Sequence, residues 1–471
     1  MKKHLFLFLI FLLGLTSISA QTTYYVMEES TGEGTSWSDP GDLQAMIVKA
    51  VAGDQIWVAA GTYQPISPLY FELKEGVKIY GGFSGVETQL SERDWIENES
   101  ILKGTGTGNL VVRNYMNNLT SATLLDGFTI TGANRASGDG GGIYNNTSSP
   151  SYNNCIVTGN IGNYGAGVFN KFSTSVFTNV TITNNTSAKS GAGMYNDNAS
   201  PMLKNVIISN NTSSEFGGGM RNHMSSSPTL VNVLIKNNQS VKGAGIYNSG
   251  GSNPTLTNLT ISGNIATSTV EGGAGIYNLD SSPLVRNTII WGNIVTVGSV
   301  SVFDEATSVT SYSNCLIENG TVAGGIISNA NPLFVDALAG DYNLQSGSPA
   351  INVGNNDFVT GINHDLANNL RIAGTSVDLG VFEKNMTTTD NINLQSFDTE
   401  INVYPNHVTD KLYIDTNLFV KELYLFDITG HKVKQLNMVE NSVNLNDIRS
   451  GIYLVKIILN GGQKTVKIFK L

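Results

Sequence analysis

Between Gly140 and Asn293, apolar and polar residues alternate in short bursts instead of recurring every three or four positions, the period of extended strands and not of helices. The bursts come in pairs. The hexapeptide GGGIYN at Gly140 returns as GAGVFN at Gly165, GAGMYN at Gly191, GGGMRN at Gly217, and GAGIYN at Gly243 and Gly273, in steps of 25, 26, 26, 26 and 30 residues. Each copy is followed by a segment framed by Asn: NCIVTGN from Asn154, NVTITNN from Asn179, NVIISNN from Asn205, NVLIKNN from Asn232, NLTISGN from Asn258 and NTIIWGN from Asn287. A seventh, NCLIEN, starts at Asn314. A unit of this length cannot bury a face of its own, but units stacked coil on coil can. The pattern predicts a parallel β-helix whose equivalent residues repeat about 4.8 Å apart along its axis. Asn154, Asn179, Asn205, Asn232, Asn258, Asn287 and Asn314 then form a ladder of side-chain amides.

Strand alternation assigns the faces. Position five of the hexapeptide runs Tyr144, Phe169, Tyr195, Arg221, Tyr247, Tyr277, and an unpaired Arg inside a narrow coil is prohibitively costly, so this position points outward. Val180, Ile182, Val206 and Ile208 point inward, and Thr181, Thr183, Ser209 and Lys236 outward. Ahead of the repeats, Leu43, Met46, Ile47 and Val51 have helical spacing and precede a strand over 56–60. A short amphipathic helix there covers the open end of a solenoid that starts near residue 54. Cys155 and Cys315 follow ladder Asn residues six coils apart, about 29 Å at the strand spacing, far beyond the reach of a disulfide. Both are expected to be buried thiols.

Composition sharpens this reading. The chain holds 51 Gly and 54 Asn in 471 residues, only 14% charged residues, and a net charge of -10. An acidic chain without a basic stripe sets nucleic acid aside. Residues 1–20, with Lys2, Lys3 and an apolar run from Leu5 to Leu15, have the form of a secretory signal peptide. That run is about half of a bilayer span, so no transmembrane segment is expected.

These repeats resemble right-handed parallel β-helix proteins of the pectate-lyase-like group and the repeats of polymorphic outer-membrane proteins. Residues 331–385, from NPLFVDALAGDYNLQSGSPAINVGNN to VDLGVFE, resemble a module at the end of bacterial surface β-helices, just before an anchor. Residues 397–471, with VYPN at Val403, DKLYID at Asp410, LYLFDITGHKV at Leu423, SGIYLVKI at Ser450 and KTVKIFKL at Lys464, are similar to the C-terminal sorting domain of the type IX secretion system. His407 stands where that family usually has Pro. The resemblance implies a partner in the type IX machinery and a place outside the cell or on its outer surface. The expected organisation is all-β: signal peptide 1–20, cap 21–53, right-handed parallel β-helix 54–330, end module 331–385, linker 386–396, and a small β-sandwich over 397–471.

The β-helix group includes lyases, hydrolases and non-catalytic adhesins alike, so function rests on the site. No hexapeptide or Asn segment from Gly140 to Asn293 contains an acid, which argues against the stacked carboxylates of a hydrolase. The expected function is non-catalytic binding of glycans or neighbouring cell surfaces through a lateral face of aromatic rings and Asn. Tyr144, Phe169, Tyr195, Arg221, Tyr247 and Tyr277 are the candidate contacts, unless the rings simply stack on one another. The alternatives are a polysaccharide lyase or glycoside hydrolase built on Arg221, His223 and Glu215, with calcium as a cofactor if a lyase, and a structural spacer.

Overall fold

The computed structural model describes residues 21–268, 272–296, 300–305, 307–320, 324–384, 401–416, 420–427, 432–439, 441–459 and 462–471. The leader 1–20 and the linker 386–396 lie outside them. The chain divides into two compact units, 1–385 and 386–471.

The first unit is a right-handed parallel β-helix of about nine turns. One turn comprises Met194–Asp197, the bent strand Met202–Ser209 and the short Thr212–Ser213, each in parallel register with its counterparts one turn away. The bend falls at Asn205, whose φ is 55°, and every ladder Asn from Asn154 to Asn314 shares this left-handed conformation. Asn enters that region more readily than other side-chain-bearing residues, which explains its fixed place in the repeat. The third residue of the hexapeptide is Gly for a different reason. A Cβ on Gly193 would lie 2.4 Å from the carbonyl oxygen of Gly219 in the next turn.

The interior is buried and stacked. Val180, Ile182, Val206, Ile208, Met194, Ile246 and Ile276 share one continuous core, as the alternation requires. Two further amide ladders run through it. Asn114, Asn145, Asn170, Asn196, Asn222, Asn248 and Asn278 each donate to the next member at 2.7–3.0 Å, ending on Asp304 Oδ1. Asn160, Asn185, Asn211, Asn238, Asn264 and Asn293 do the same at 2.9–3.0 Å. Buried amides are tolerable only when bonded, and here stacking supplies a partner in every turn. Cys155 and Cys315 are free and buried, as expected.

The ends differ in part from expectation. Helix α1 (Leu43–Lys49), capped by the Asp42 side chain on Ala45 N–H, buries Leu43, Met46 and Ile47 in the coil core. Val51 lies past its end and is exposed. The parallel ladder starts before residue 54: β1 (Thr23–Val26) pairs with β2 (Gln55–Ala59), so the cap carries the first strand of the solenoid. At the far end, Ile326–Ser328 is the last parallel strand of the ladder. The segment 331–384 then folds back along the outside of the coils, with one antiparallel pair, Phe334–Asp336 with Asp341–Leu344.

The second unit has a four-stranded and a five-stranded sheet around one core that includes Leu412, Ile414, Leu423, Leu425, Val455 and Ile457. This is the small β-sandwich that the alternating strands predict.

Candidate ligand-binding faces

The aromatic column lies outside the coil core but is not open to solvent. Tyr144, Phe169, Tyr195, Arg221, Tyr247 and Tyr277 sit in register, one per turn, with Phe303 next. Ring centroids are 5.2 Å apart for Tyr144 and Phe169, 5.5 Å for Phe169 and Tyr195, and 4.9 Å for Tyr247 and Tyr277, all with nearly parallel planes. Arg221 fills the gap, its guanidinium carbon 4.4 Å from the centroid of Tyr247 and 5.0 Å from that of Phe216. Tyr164, which ends the strand Ile161–Tyr164, leans on Tyr195, and Phe216, two turns further at the same register position, leans on Tyr247. Tyr277 is left only 2% exposed and Tyr195 8%. The expectation of solvent-facing rings is corrected here: the ring faces are taken up by one another, a packing that lowers their energy without any ligand.

Arg221 and His223 meet at one hydroxyl. Arg221 Nη2 donates to Ser249 Oγ at 3.2 Å, and His223 Nδ1 lies 3.0 Å from the same oxygen. Burial, and next the Arg221 charge, hold His223 below its ordinary pKa, so the ring is neutral at pH 7. Burial pushes the Tyr195 hydroxyl up to about 12. Asp197, opposite His223, is paired with Lys171 at 2.9 Å. Among the described residues no hydrogen bond or ion pair joins Glu215 to either partner; its carbonyl accepts from Val241 and Lys242 N–H. Among the described residues, too, no group of three His, Cys, Asp or Glu side chains could hold a metal ion.

The outer Asn ladder leads to a different face. Asn154 Nδ2 donates to Asp126 Oδ1, Asn179 to Asn154, Asn205 to Asn179 and Asn232 to Asn205, at 2.9–3.2 Å. Beside it runs an outward column in strict register: Thr129, Ile156, Thr181, Ile207, Leu234, Thr260, Ile289, Leu316. Segment 331–384 covers its second half. Leu234 packs with Tyr342 and Val381, and Ile289 and Leu316 with Leu344, Ala350 and Leu379. The first half is a groove of about 870 Å³, walled on one side by Trp95, Ile96 and Glu99 and on the other by Asp365, Leu366 and Asn368. Trp95 is held by Arg93, which stacks on it at 5.0 Å and pairs with Asp126 at 2.7 Å. Nothing periodic marks 84–99 or 331–385, so the walls of this groove were not readable from the repeat; its Asn floor was.

Residues 118–290 match the family described as right handed beta helix region, and residues 402–470 match the secretion system C-terminal sorting domain. The protein is a right-handed parallel β-helix that carries a type IX secretion sorting domain. That domain marks the β-helix protein for export and for the cell surface, and implies handling by the type IX machinery. Among the described residues no helix is long and apolar enough to cross a membrane. Among solved structures, the crystal structure of pectate lyase Pel9A is similar, with a TM-score of 0.48 and 13% identity over 78% of this chain and 98% of that one. No curated protein matches the chain.

Proposed function

We propose that this exported β-helix is a non-catalytic surface protein that binds glycan along its Asn-laddered lateral face. One observation carries the reading. In the groove, Asn154, Asn179 and Asn205 each use one hydrogen bond of the amide nitrogen within the ladder, and among the described residues the second N–H of each has no protein partner. Amides at coil spacing, beside the half-exposed Trp95 ring and an amphipathic floor of Thr and Ile, suit the mixed polar and apolar faces of sugar rings. The groove carboxylates already accept hydrogen bonds. Glu99 accepts from Thr129 Oγ1 at 2.6 Å, and Asp365 from the N–H groups of Ala367, Asn369 and Glu383.

The test incubates the full chain with a panel of cell-wall and capsular polysaccharides, reading retention and new chain ends together. Retention that falls at least tenfold in Trp95→Ala, without new reducing or unsaturated ends, is expected. New ends that vanish in His223→Ala would establish the lyase or hydrolase alternative instead.

A further inference from the structure

The covered half of the Asn stripe shows what its amides bind. Asn232 Nδ2 donates to the carbonyl of His364 at 2.8 Å, Asn287 Nδ2 to that of Asn355 at 3.0 Å, and Asn314 Nδ2 to that of Val353 at 3.0 Å. Asn258 Nδ2 reaches the carbonyl of Asp378 at 3.3 Å. Asn287 also accepts, through Oδ1, the N–H of Asn355 at 2.9 Å. Four consecutive ladder positions are thus matched by amide carbonyls of an overlying chain. The next three, Asn154, Asn179 and Asn205, continue the same stripe at the same pitch of about 4.8 Å, and among the described residues no carbonyl of an overlying segment accepts from their amides.

The floor changes along the way. Under the overlying segment three of the four column residues are Leu or Ile and meet aliphatic or aromatic side chains; in the groove two of four are Thr. That loss of apolar area disfavours a second peptide with large side chains and favours a flatter, amphipathic occupant. The groove is lined by Glu99 and Asp365 and by no Lys or Arg, so an acidic polymer would meet like charge. What combines amide carbonyls, a flat amphipathic face and no charge is a polymer of N-acetylated amino sugars.

We infer that the Asn154–Asn179–Asn205 groove selects a neutral linear polysaccharide bearing N-acetyl groups, whose acetamido carbonyls accept from the ladder amides as the backbone carbonyls of 353–378 do further along. This rests on the glycan-binding reading above and names its ligand class.

The experiment titrates the full chain with three probes of equal length: an N-acetylglucosamine hexamer, the glucose hexamer of the same linkage, and an uncharged extended hexapeptide. The acetylated sugar is expected to bind at least tenfold more tightly than either other probe. Asn179→Asp retains a residue suited to the left-handed turn and an acceptor for Asn205, but removes the N–H; it should reduce the affinity for the acetylated sugar about tenfold. Thr181→Arg, which blocks the floor without touching the ladder, should do the same with the melting curve unchanged. Equal affinity for the two hexamers overturns the inference while leaving glycan binding intact, and retention of neither sugar overturns both. Preference for the peptide overturns both in favour of a polypeptide ligand.

Discussion

Asn carries this fold in two ways, and only one of them could be read directly. The ladder Asn that follows each strand was legible because its neighbours alternate around it. The sixth residue of the hexapeptide is also interior, in step with Ala at two and Ile at four, but its polarity gives no sign of this. Asn196 is fully buried, between Asn170 and Asn222. Asn196→Leu strands a donor of Asn170 and an acceptor of Asn222 in a buried core, at about 1–3 kcal/mol for each unmet group. Urea unfolding should therefore show a loss of about 3 kcal/mol, whereas the exposed Asn179→Gly should show far less. The outward sense of the Tyr195 column was likewise legible from Arg221. Its burial was not, because the position that covers it, although it recurs every 26 residues, runs Tyr164, Ser190, Phe216, Lys242 and is aromatic in only two of these four. The two thiols give a second residue-scale prediction. Burial pushes Cys155 up to about 12 and Cys315 to about 11, so neither forms thiolate at neutral pH. A thiol reagent counted at pH 7.5 should label no cysteine in the native protein and two after denaturation; prompt native labelling would mean that the coil interior opens.

Segment 331–384 is the element whose sequence said least. It resembles modules that end surface β-helices, yet nothing in its spacing tells that it returns along the stripe. Its latch is Arg371, 1% exposed, which donates to the carbonyls of Asp378, Gly380 and Val381 and to Asn232 Oδ1, and pairs with Glu383 at 2.8 Å. The charges of Asp365 and Asp378 also act on this guanidinium. Burial raises Glu383 to about 8 and raises Asp378 as well. A carboxyl whose folded pKa lies above its unfolded value binds its proton more tightly when folded, and stability falls with pH between the two. The docking of this segment is therefore expected to be strongest below about pH 4.5 as far as Glu383 is concerned, and to weaken progressively until pH passes about 8. Hydrogen exchange of the amides of 365–383, compared at pH 6 and pH 9 after correction for intrinsic rates, should show less protection at pH 9. Glu383→Gln should flatten the difference. Unchanged protection in the native protein would mean that the Arg371 pair holds Glu383 ionised throughout.

At the scale of the whole molecule, a solenoid must close the strand edges that its turns leave at each end, because an open parallel edge is a template for another chain. The repeat period announces the middle of such a protein and is silent about its ends, which explains why the start was expected near 54 and is found at Thr23. Here the outer edge of β1 is met by Gly34 and Gly41: the carbonyl of Gly34 accepts from Tyr25 N–H, and Gly41 N–H donates to the Tyr25 carbonyl, both within 2.9 Å. Helix α1 plugs the core behind it, with Met46 packed over Gly34 and Gly41 and 4% exposed. Met46→Asp places a charge where the coil core ends and should dislodge helix and loop together, baring β1 and the apolar mouth formed by Val26 and Ile56. For a molecule delivered to a crowded cell surface by its sorting domain, the result is end-to-end pairing more than unfolding, since each inner turn is held by its own neighbours. Light scattering of the purified variant should show concentration-dependent growth in mass, with a circular dichroism spectrum that remains that of a β-helix. A variant that stays monomeric would place the closure in the Gly34 and Gly41 hydrogen bonds alone.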